Sequence, residues 1–262
     1  MKKMSKVLAF LLLASLLLAL AGCSGTEVKI ATQADLKGKV IGVEMGTTGD
    51  ILASDDAIGA KRVERTTSYV DIISSLKQKK VDCVIMDNDT ANTYLKTNSD
   101  LVALDVGFDP EQYAVAVKKG DATTLAAVNK VIAAMKADGS LAKSMKLHED
   151  QKGPAADLNK GATGGKLIVG TNAGFPPYEY LSGDTVIGVD MDIMAKVAKE
   201  LNKELVIENM AFDGLITALT SGKINAIAAG MTATDERKVN VDFSDIYTNA
   251  VQVVVIRKTS QK

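Results

Sequence analysis

Residues 226–237 read AIAAGMTATDER, a sequence that predicts a buried strand followed by a ligand-facing turn. The apolar run 226–229 stops at Gly230, so a strand ending here brings backbone N–H groups to the end of a sheet. Thr234 precedes two acidic residues, a pattern typical of a helix start, whose N–H groups also favour an anion. Arg237 adds a planar, two-pronged donor suited to a carboxylate. The stretch indicates a pocket for a small carboxylate; the alternative is an ordinary strand–loop–helix with a surface arginine.

The same plan occurs earlier in the chain. Residues 76–87 (LKQKKVDCVIMD) parallel residues 219–230 (LTSGKINAIAAG): a helix end, a lysine, a buried strand and then a candidate ligand residue. Residues 39–48 (KVIGVEMGTT) parallel residues 166–174 (KLIVGTNAG) in the same way. Because the carboxyl ends of strands line the crevice of open α/β sheets, Asp87 is a candidate site residue. We predict two similar α/β lobes that present strand ends to a shared cleft.

The first residues are typical of a secretory leader. Three early lysines precede an apolar run over residues 7–21, shorter than the roughly 20 residues that span a bilayer. The run ends in Leu-Ala-Gly-Cys at residues 20–23, which matches a bacterial lipobox. We predict a signal peptide over residues 1–22, lipidation of Cys23 and a tether over residues 23–29. The chain would then be anchored by lipid outside the cytoplasmic membrane, on the cell surface or in the periplasm; the alternative is an uncleaved anchor with an incidental cysteine.

Composition excludes several function classes. The net charge of −1 falls to −4 without the three leader lysines, which argues against nucleic-acid binding. Lipidation of Cys23 would leave only Cys83, predicted to be a core residue, so an internal disulfide is excluded. His148 is the single histidine, and we predict that it lies at the surface. One histidine and two cysteines argue against a histidine-based catalytic triad and against a zinc site. No cofactor or metal is therefore expected.

Several motifs together resemble the extracellular amino-acid-binding proteins of ABC importers, the bacterial solute-binding protein family 3. They cover most of the chain after residue 30. The resemblance implies an α/β fold of two Rossmann-like lobes joined by a hinge, the periplasmic binding protein-like type II fold. The motifs are LKGKVIGVEMGTTGD (36–50), GTNAGFPPYEY (170–180), VIGVDMDIMAKVAKEL (186–201), AFDGLITALTSGKINA (211–226), GMTATDER (230–237) and VDFSDIY (241–247).

The resemblance also implies a binding site. The ligand carboxylate would be held by Arg237, Thr232 and Gly230, with Thr48 from the other lobe. Asp87 would hold the ammonium group, with Asp89 as the fallback. Asn172 stands where many relatives carry aspartate and argues for a neutral ligand side chain, whereas Glu44 beside the GTT loop favours a cationic one. The predicted ligand-binding residues are Gly46, Thr47, Thr48, Asp87, Asn172, Phe175, Phe212, Gly230, Met231, Thr232 and Arg237.

The order of the motifs predicts a circular permutation of the family's chain. We assign one lobe to residues 30–112, a crossover strand and helices packing on the other lobe to 113–149, a linker joining the family's usual termini to 150–165, and the other lobe to 166–262. This division predicts a single covalent crossover near residues 113–119, with the last strand as a free hinge strand. Such rearrangement is tolerated where termini lie close together at the surface.

The function implied is capture of a free polar amino acid by a monomer, followed by delivery to an ABC permease and its cytoplasmic ATPase. Two alternatives stay open. Relatives of this fold include dehydratases that act on prephenate-like acids, for which Glu44 and Asp87 are the candidate acids, although no strong acid–base pair is evident. The second alternative is a ligand-sensing module that works with a separate signalling partner.

Overall fold

The computed structural model of the protein describes residues 29–258, and Cys23 with its leader lies outside them. The strands are β1 (Val40–Glu44), β2 (Arg62–Thr66), β3 (Cys83–Asp87), β4 (Leu101–Leu104), β5 (Glu111–Tyr113), β6 (Ala116–Lys118), β7 (Lys166–Thr171), β8 (Gly174–Phe175), β9 (Glu179–Ser182), β10 (Thr185–Ile187), β11 (Glu204–Asn209), β12 (Ala226–Ile227), β13 (Val241–Phe243), β14 (Thr248–Ala250) and β15 (Gln252–Arg257). The helices are α1 (Thr48–Ser54), α2 (Tyr69–Lys77), α3 (Asn88–Leu95), α4 (Ala122–Ala137), α5 (Ser140–Glu149), α6 (Val189–Glu200), α7 (Leu215–Thr220) and α8 (Asp235–Asn240), with 3-10 turns at Gln33–Leu36 and Phe212–Gly214.

Two five-stranded sheets of matching order organise the chain. The N-terminal lobe contains the order β2-β1-β3-β15-β4, and the C-terminal lobe contains β11-β7-β12-β6-β13. In each sheet the first three strands run parallel and the fourth runs antiparallel to the third. The predicted α/β fold of two similar lobes is therefore confirmed, and the parallel between residues 76–87 and 219–230 corresponds to β3 and β12 in equivalent positions.

The chain crosses between the lobes twice. The first crossing runs through β5 and β6, and the second runs from β13 through β14 to β15. The prediction of a single crossover with a free hinge strand at the end is wrong. β15 pairs with both β3 and β4 and so lies inside the N-terminal sheet, because its side chains are apolar on both faces. The prediction that all of residues 166–262 form one lobe placed β15 in the wrong lobe.

His148 departs from the sequence-based prediction. Its side chain is 0% exposed rather than at the surface, and Nδ1 lies 3.0 Å from the Tyr180 hydroxyl oxygen. Nε2 lies 3.2 Å from Asp192 Oδ2. The charged sequence neighbours of His148 suggested an exposed position, but His148 lies on the buried face of α5 with Leu141 and Ser144. This face packs against α6 and β9. Cys83 is fully buried, as predicted.

Residues 150–165, the predicted linker, contain neither a helix nor a strand. They nevertheless pack on the C-terminal lobe, where Ala156 and Leu158 contact its core and the Leu158 carbonyl accepts a hydrogen bond from the Leu205 N–H at 2.9 Å. Within residues 29–258 there is no helix with the length and apolar character needed to cross a membrane.

Candidate functional site

A cavity lies between the two lobes, where the carboxyl ends of the strands of both sheets meet. Its empty space, which includes space open to solvent, is about 310 Å³. Residues from both lobes line it: Glu44, Thr47, Thr48, Asp87, Asn172, Phe175, Glu179, Phe212, Ala229, Gly230, Thr232 and Arg237. Nine of the eleven residues predicted from the sequence are in this set, and Gly46 and Met231 are not.

The N-terminal lobe contributes a tight turn between β1 and α1. Gly46 has φ +77, and a Cβ added to it would lie 3.1 Å from Asp213 Cβ of the other lobe, so glycine suits both the turn and the close approach. Thr47 caps α1, because its hydroxyl oxygen accepts a hydrogen bond from the Asp50 N–H at 3.3 Å. The same hydroxyl donates to the Glu44 carbonyl at 2.8 Å. The cap thereby fixes the turn that places Thr48 at the cavity.

Arg237 is the cation of the cavity and is 7% exposed. It lies in the first turn of α8, which Thr234 caps by accepting the Arg237 N–H at 3.3 Å. Its Nη1 donates to the Thr232 carbonyl at 2.8 Å, and its guanidinium lies 5.3 Å from the centre of the Phe212 ring. Burial lowers the pKa of Arg237, while the charges of Glu111 and Asp87 oppose that shift. The group is held in place and oriented toward the cleft.

Asp87 is the acid at the end of β3 and is 4% exposed. Its Oδ1 accepts a hydrogen bond from Gln252 Nε2 at 2.8 Å and another from the Tyr113 hydroxyl. Burial raises the pKa of Asp87 to about 7, helped by the charge of Glu111, while the two hydrogen bonds favour the ionised form. A ligand ammonium group placed beside Asp87 would favour the ionised carboxylate, so Asp87 would release its proton to solvent.

Glu111 is a residue that the sequence reasoning missed. It begins β5, in the first crossing between the lobes, and its Oε2 accepts hydrogen bonds from Thr48 Oγ1 at 2.7 Å and Thr232 Oγ1 at 2.6 Å. These two hydroxyls come from opposite lobes. They belong to Thr48 and Thr232, two of the residues predicted to bind a ligand carboxylate. No spacing pattern marks Glu111, because its partners are 63 and 121 residues away along the chain.

A buried acidic pair lies in the C-terminal lobe, and one of its members, Glu179, lines the cavity. Glu179 and Asp190 are both 0% exposed, and the Gly230 N–H donates to Asp190 Oδ2 at 2.9 Å. Burial, with the Asp190 charge next, raises the pKa of Glu179 well above its ordinary value, which favours the neutral form of this carboxyl group. The Gly230 N–H predicted to meet a ligand carboxylate is thus engaged within the protein, and Met231 packs in the core.

Further hydrogen bonds join the lobes around the cavity. Thr90 Oγ1 donates to the Pro176 carbonyl at 2.9 Å, and the Tyr94 hydroxyl donates to the Gly174 carbonyl at 2.9 Å. The Tyr178 hydroxyl donates to Asp89 Oδ2 at 2.8 Å. Asp89, the fallback for binding an ammonium group, is therefore a contact between the lobes and does not line this cavity. The lobes are closed on each other in this structure.

Comparison with known proteins gives a consistent set of relatives. Residues 167–262 match the family model of the bacterial extracellular solute-binding proteins, family 3. The arginine-binding extracellular protein ArtP of Bacillus subtilis is 42% identical over 104 residues, covering 39% of this chain and 41% of that protein. A probable histidine-binding protein of Campylobacter jejuni is 43% identical over 81 residues, covering 31% of this chain and 32% of that protein.

Among solved structures, the arginine-bound form of domain 1 from TmArgBP is 39% identical, with a TM-score of 0.31. That match covers 36% of this chain and 80% of the solved one. The chain spans less than half the length of the curated relatives named above. These relatives are named as binding proteins rather than as enzymes.

Proposed function

Because residues 167–262 match the family model of the bacterial extracellular solute-binding proteins, family 3, we propose that this chain belongs to that family and captures a free polar amino acid in the cavity between its two lobes. The amino acid would then pass to the permease of an ABC importer. Closure of the lobes on the ligand would create the form that the permease recognises, since a ligand shifts a hinge equilibrium only by binding the closed state more tightly.

The observation that carries the proposal is the placement of Arg237 and Asp87 on opposite lobes at one cavity. A guanidinium and a carboxyl group are the partners that the two charged groups of an α-amino acid require. Each side chain is buried, so its interaction with the ligand is screened little by water. An amino acid in the cavity would contact both lobes and hold them closed.

The chain order and the lipid anchor also belong to this proposal. Both ends of the described chain, residues 29 and 258, lie in the N-terminal lobe, where Ile30 is buried in the core and the Lys258 N–H donates to the Asp100 carbonyl at 2.9 Å. This supports a chain opened within that lobe, the permuted order predicted from the motifs.

Replacing Cys23 with serine should release the protein from membranes, as fractionation of an expressing bacterium would detect.

Isothermal titration calorimetry of the purified chain against the common amino acids tests the proposal. We expect binding in the micromolar range or tighter for at least one amino acid, about −8 kcal/mol or more favourable. The variant Asp87→Asn should weaken that binding by about tenfold or more, because the ammonium group loses its charged partner. The control Asp71→Asn alters an exposed helix residue and should bind normally. A folded chain that binds no amino acid would refute the proposal.

A further inference from the structure

The N-terminal sheet has an edge, opposite the cleft, that is rich in lysine and arginine. β1, β2 and β3 run parallel, so their first residues meet at this edge, and the antiparallel strand β15 ends there. The turns that lead into these strands contribute most of the charges. We call this edge the basic face, and its cations are Lys37, Lys39, Lys61, Arg62, Lys77, Lys79, Lys80, Arg257 and Lys258.

Hydrogen bonds hold the segments of the basic face together. The Lys61 N–H donates to the Lys39 carbonyl at 2.8 Å, which joins the start of β2 to the start of β1. Arg257 Nη1 donates to the Val81 carbonyl at 2.9 Å, which joins the end of β15 to the turn before β3. The basic face is therefore one continuous surface, although its segments are far apart along the chain.

Most of the cations on the basic face lack an acidic partner. Seven of the nine are exposed, and within residues 29–258 only two of these form ion pairs: Arg62 with Glu64 and Lys77 with Asp100, both at 3.3 Å. The acids at or beside the face are Asp35, Asp55, Asp56, Glu64, Asp82 and Asp100. Nine cations against six acids give a net charge of +3, whereas the chain without its leader lysines carries −4. Positive charge is thus concentrated on one side of a protein that is acidic as a whole.

The position of the predicted lipid anchor indicates what covers the basic face. The described chain enters the fold at Ile30, which is buried in the same core cluster as Leu36, the residue before Lys37. Six residues, 23–28, connect the lipidation site to Lys29, and a segment of that length reaches at most about 20 Å. An anchored N-terminal lobe would therefore be held close to the lipid headgroups.

We propose that the basic face docks the N-terminal lobe on the anionic headgroups of the membrane that carries the lipid anchor. Lysine and arginine side chains near an anionic lipid surface are attracted to it, and a basic patch strengthens the membrane attachment of an acylated protein. The inference goes beyond capture of an amino acid, and only the anchor that brings the face to the membrane rests on the proposed function. Because the face lies opposite the cleft, docking leaves the cleft accessible to its ligand.

Co-sedimentation with lipid vesicles tests the docking. Residues 24–262 contain every described element of the fold and carry no lipid, so binding reports the protein surface alone. Vesicles of phosphatidylcholine with phosphatidylglycerol should bind this chain at least about tenfold more tightly than vesicles of phosphatidylcholine alone. Raising the salt from about 0.1 M to about 1 M should abolish the difference, because the screening length falls from about 10 Å to about 3 Å.

Two variants with equal charge changes locate the binding surface. The test variant replaces four exposed lysines of the basic face: Lys37→Gln, Lys61→Gln, Lys79→Gln and Lys80→Gln. The control replaces four exposed lysines of the C-terminal lobe: Lys143→Gln, Lys166→Gln, Lys199→Gln and Lys223→Gln. Lys166 and Lys223 lie at the corresponding edge of the other sheet, which makes the control stringent. The test variant should lose about tenfold or more in partition onto anionic vesicles, and the control should stay within about threefold of the parent.

Equal losses in the two variants would show that overall charge drives binding and would overturn the inference. A parent chain without preference for anionic vesicles would also overturn it, and that measurement needs no variant. Circular dichroism establishes that each variant is folded. Calorimetry with amino acids on the same preparations tests the proposed function separately, since none of the eight lysines lines the cavity. A chain that binds anionic vesicles but no amino acid would refute the proposed function and support the basic face.

Discussion

Arg237 donates a hydrogen bond from Nη2 across the cleft to the carbonyl oxygen of Gly46, at 2.9 Å. The donor lies in the C-terminal lobe and the acceptor in the turn after β1 of the N-terminal lobe. One side chain therefore holds the lobes together and presents its guanidinium to the cavity. Binding of a ligand carboxylate and closure of the cleft would share this residue.

Replacing Arg237 with lysine should weaken amino-acid binding by about 1.5–3 kcal/mol, the range for hydrogen bonds to charged groups. Lysine keeps the charge but cannot reach the Thr232 and Gly46 carbonyls and a ligand carboxylate from one planar group. Calorimetry with the best-bound amino acid measures the loss. The control Arg62→Lys affects an exposed ion pair with Glu64 and should bind as the parent does. Affinity for Arg237→Lys within twofold of the parent would contradict the role given to the guanidinium.

Replacing Glu111 with glutamine should tighten ligand binding. The Glu111 carboxylate accepts the Thr48 and Thr232 hydroxyls in this structure, so a ligand carboxylate that needs them must displace it. Removing the charge also removes repulsion of that carboxylate. The same change should make the ligand-free protein less stable by about 1 kcal/mol, because two charge-assisted hydrogen bonds become neutral.

These two effects have opposite signs, so they can be measured independently. Calorimetry reports the affinity, and urea unfolding without ligand reports the stability. Glu204→Gln, on the edge strand β11, serves as the control. Weaker ligand binding by Glu111→Gln would show that Glu111 supports the ligand instead of competing with it.

Local motifs predicted much of this architecture. The two lobes were predicted from the sequence similarity between residues 76–87 and 219–230. The helix cap at Thr234 and the position of Asp87 were predicted from capping residues and strand ends. These signals are local, because a strand end and the first turn of a helix lie within a few residues of each other. The cavity accordingly contains most of the residues that the motifs indicated.

The features that were missed depend on contacts between distant segments. β15 joins the N-terminal sheet only because the chain returns from the other lobe, and periodicity cannot show which sheet receives an apolar strand. Glu111 is recognisable only once Thr48 and Thr232 meet across the cleft. His148 was misplaced because its charged sequence neighbours face solvent while its ring faces inward.

The stability of the ligand-free protein should depend on pH through Glu44. The folded state raises the pKa of Glu44 from 4.5 to about 8, so it binds the proton more tightly than the unfolded chain does. This contribution is fully present below the unfolded pKa and is lost as the pH rises to about 8, with a slope of up to about 1.4 kcal/mol per pH unit.

Urea unfolding at a series of pH values, for the parent and for Glu44→Gln, isolates this contribution. As the pH rises, the free energy of unfolding of the parent should fall relative to that of Glu44→Gln. Asp190 also has a raised pKa, but it is present in both proteins and Glu44 is not among the causes of its shift, so its contribution cancels in the difference. Asp87 interacts with Glu44, so the difference includes the change in Asp87 titration that the substitution causes. Parallel curves for the two proteins would show that Glu44 does not titrate in this range.

Replacing Gly153 with alanine should destabilise the C-terminal lobe by about 1–3 kcal/mol, the usual cost of overpacking. A Cβ at this position would lie 1.9 Å from His148 Cε1, and the His148 ring is held between Tyr180 and Asp192. Gly214→Ala is the matched control, since its φ of −84 suits alanine and its added Cβ would have no atom within 4 Å. Thermal unfolding of both variants reports their stability, and calorimetry of ligand binding reports whether their function is retained. A melting temperature for Gly153→Ala equal to that of the control would mean that residues 150–165 do not pack on His148 in solution.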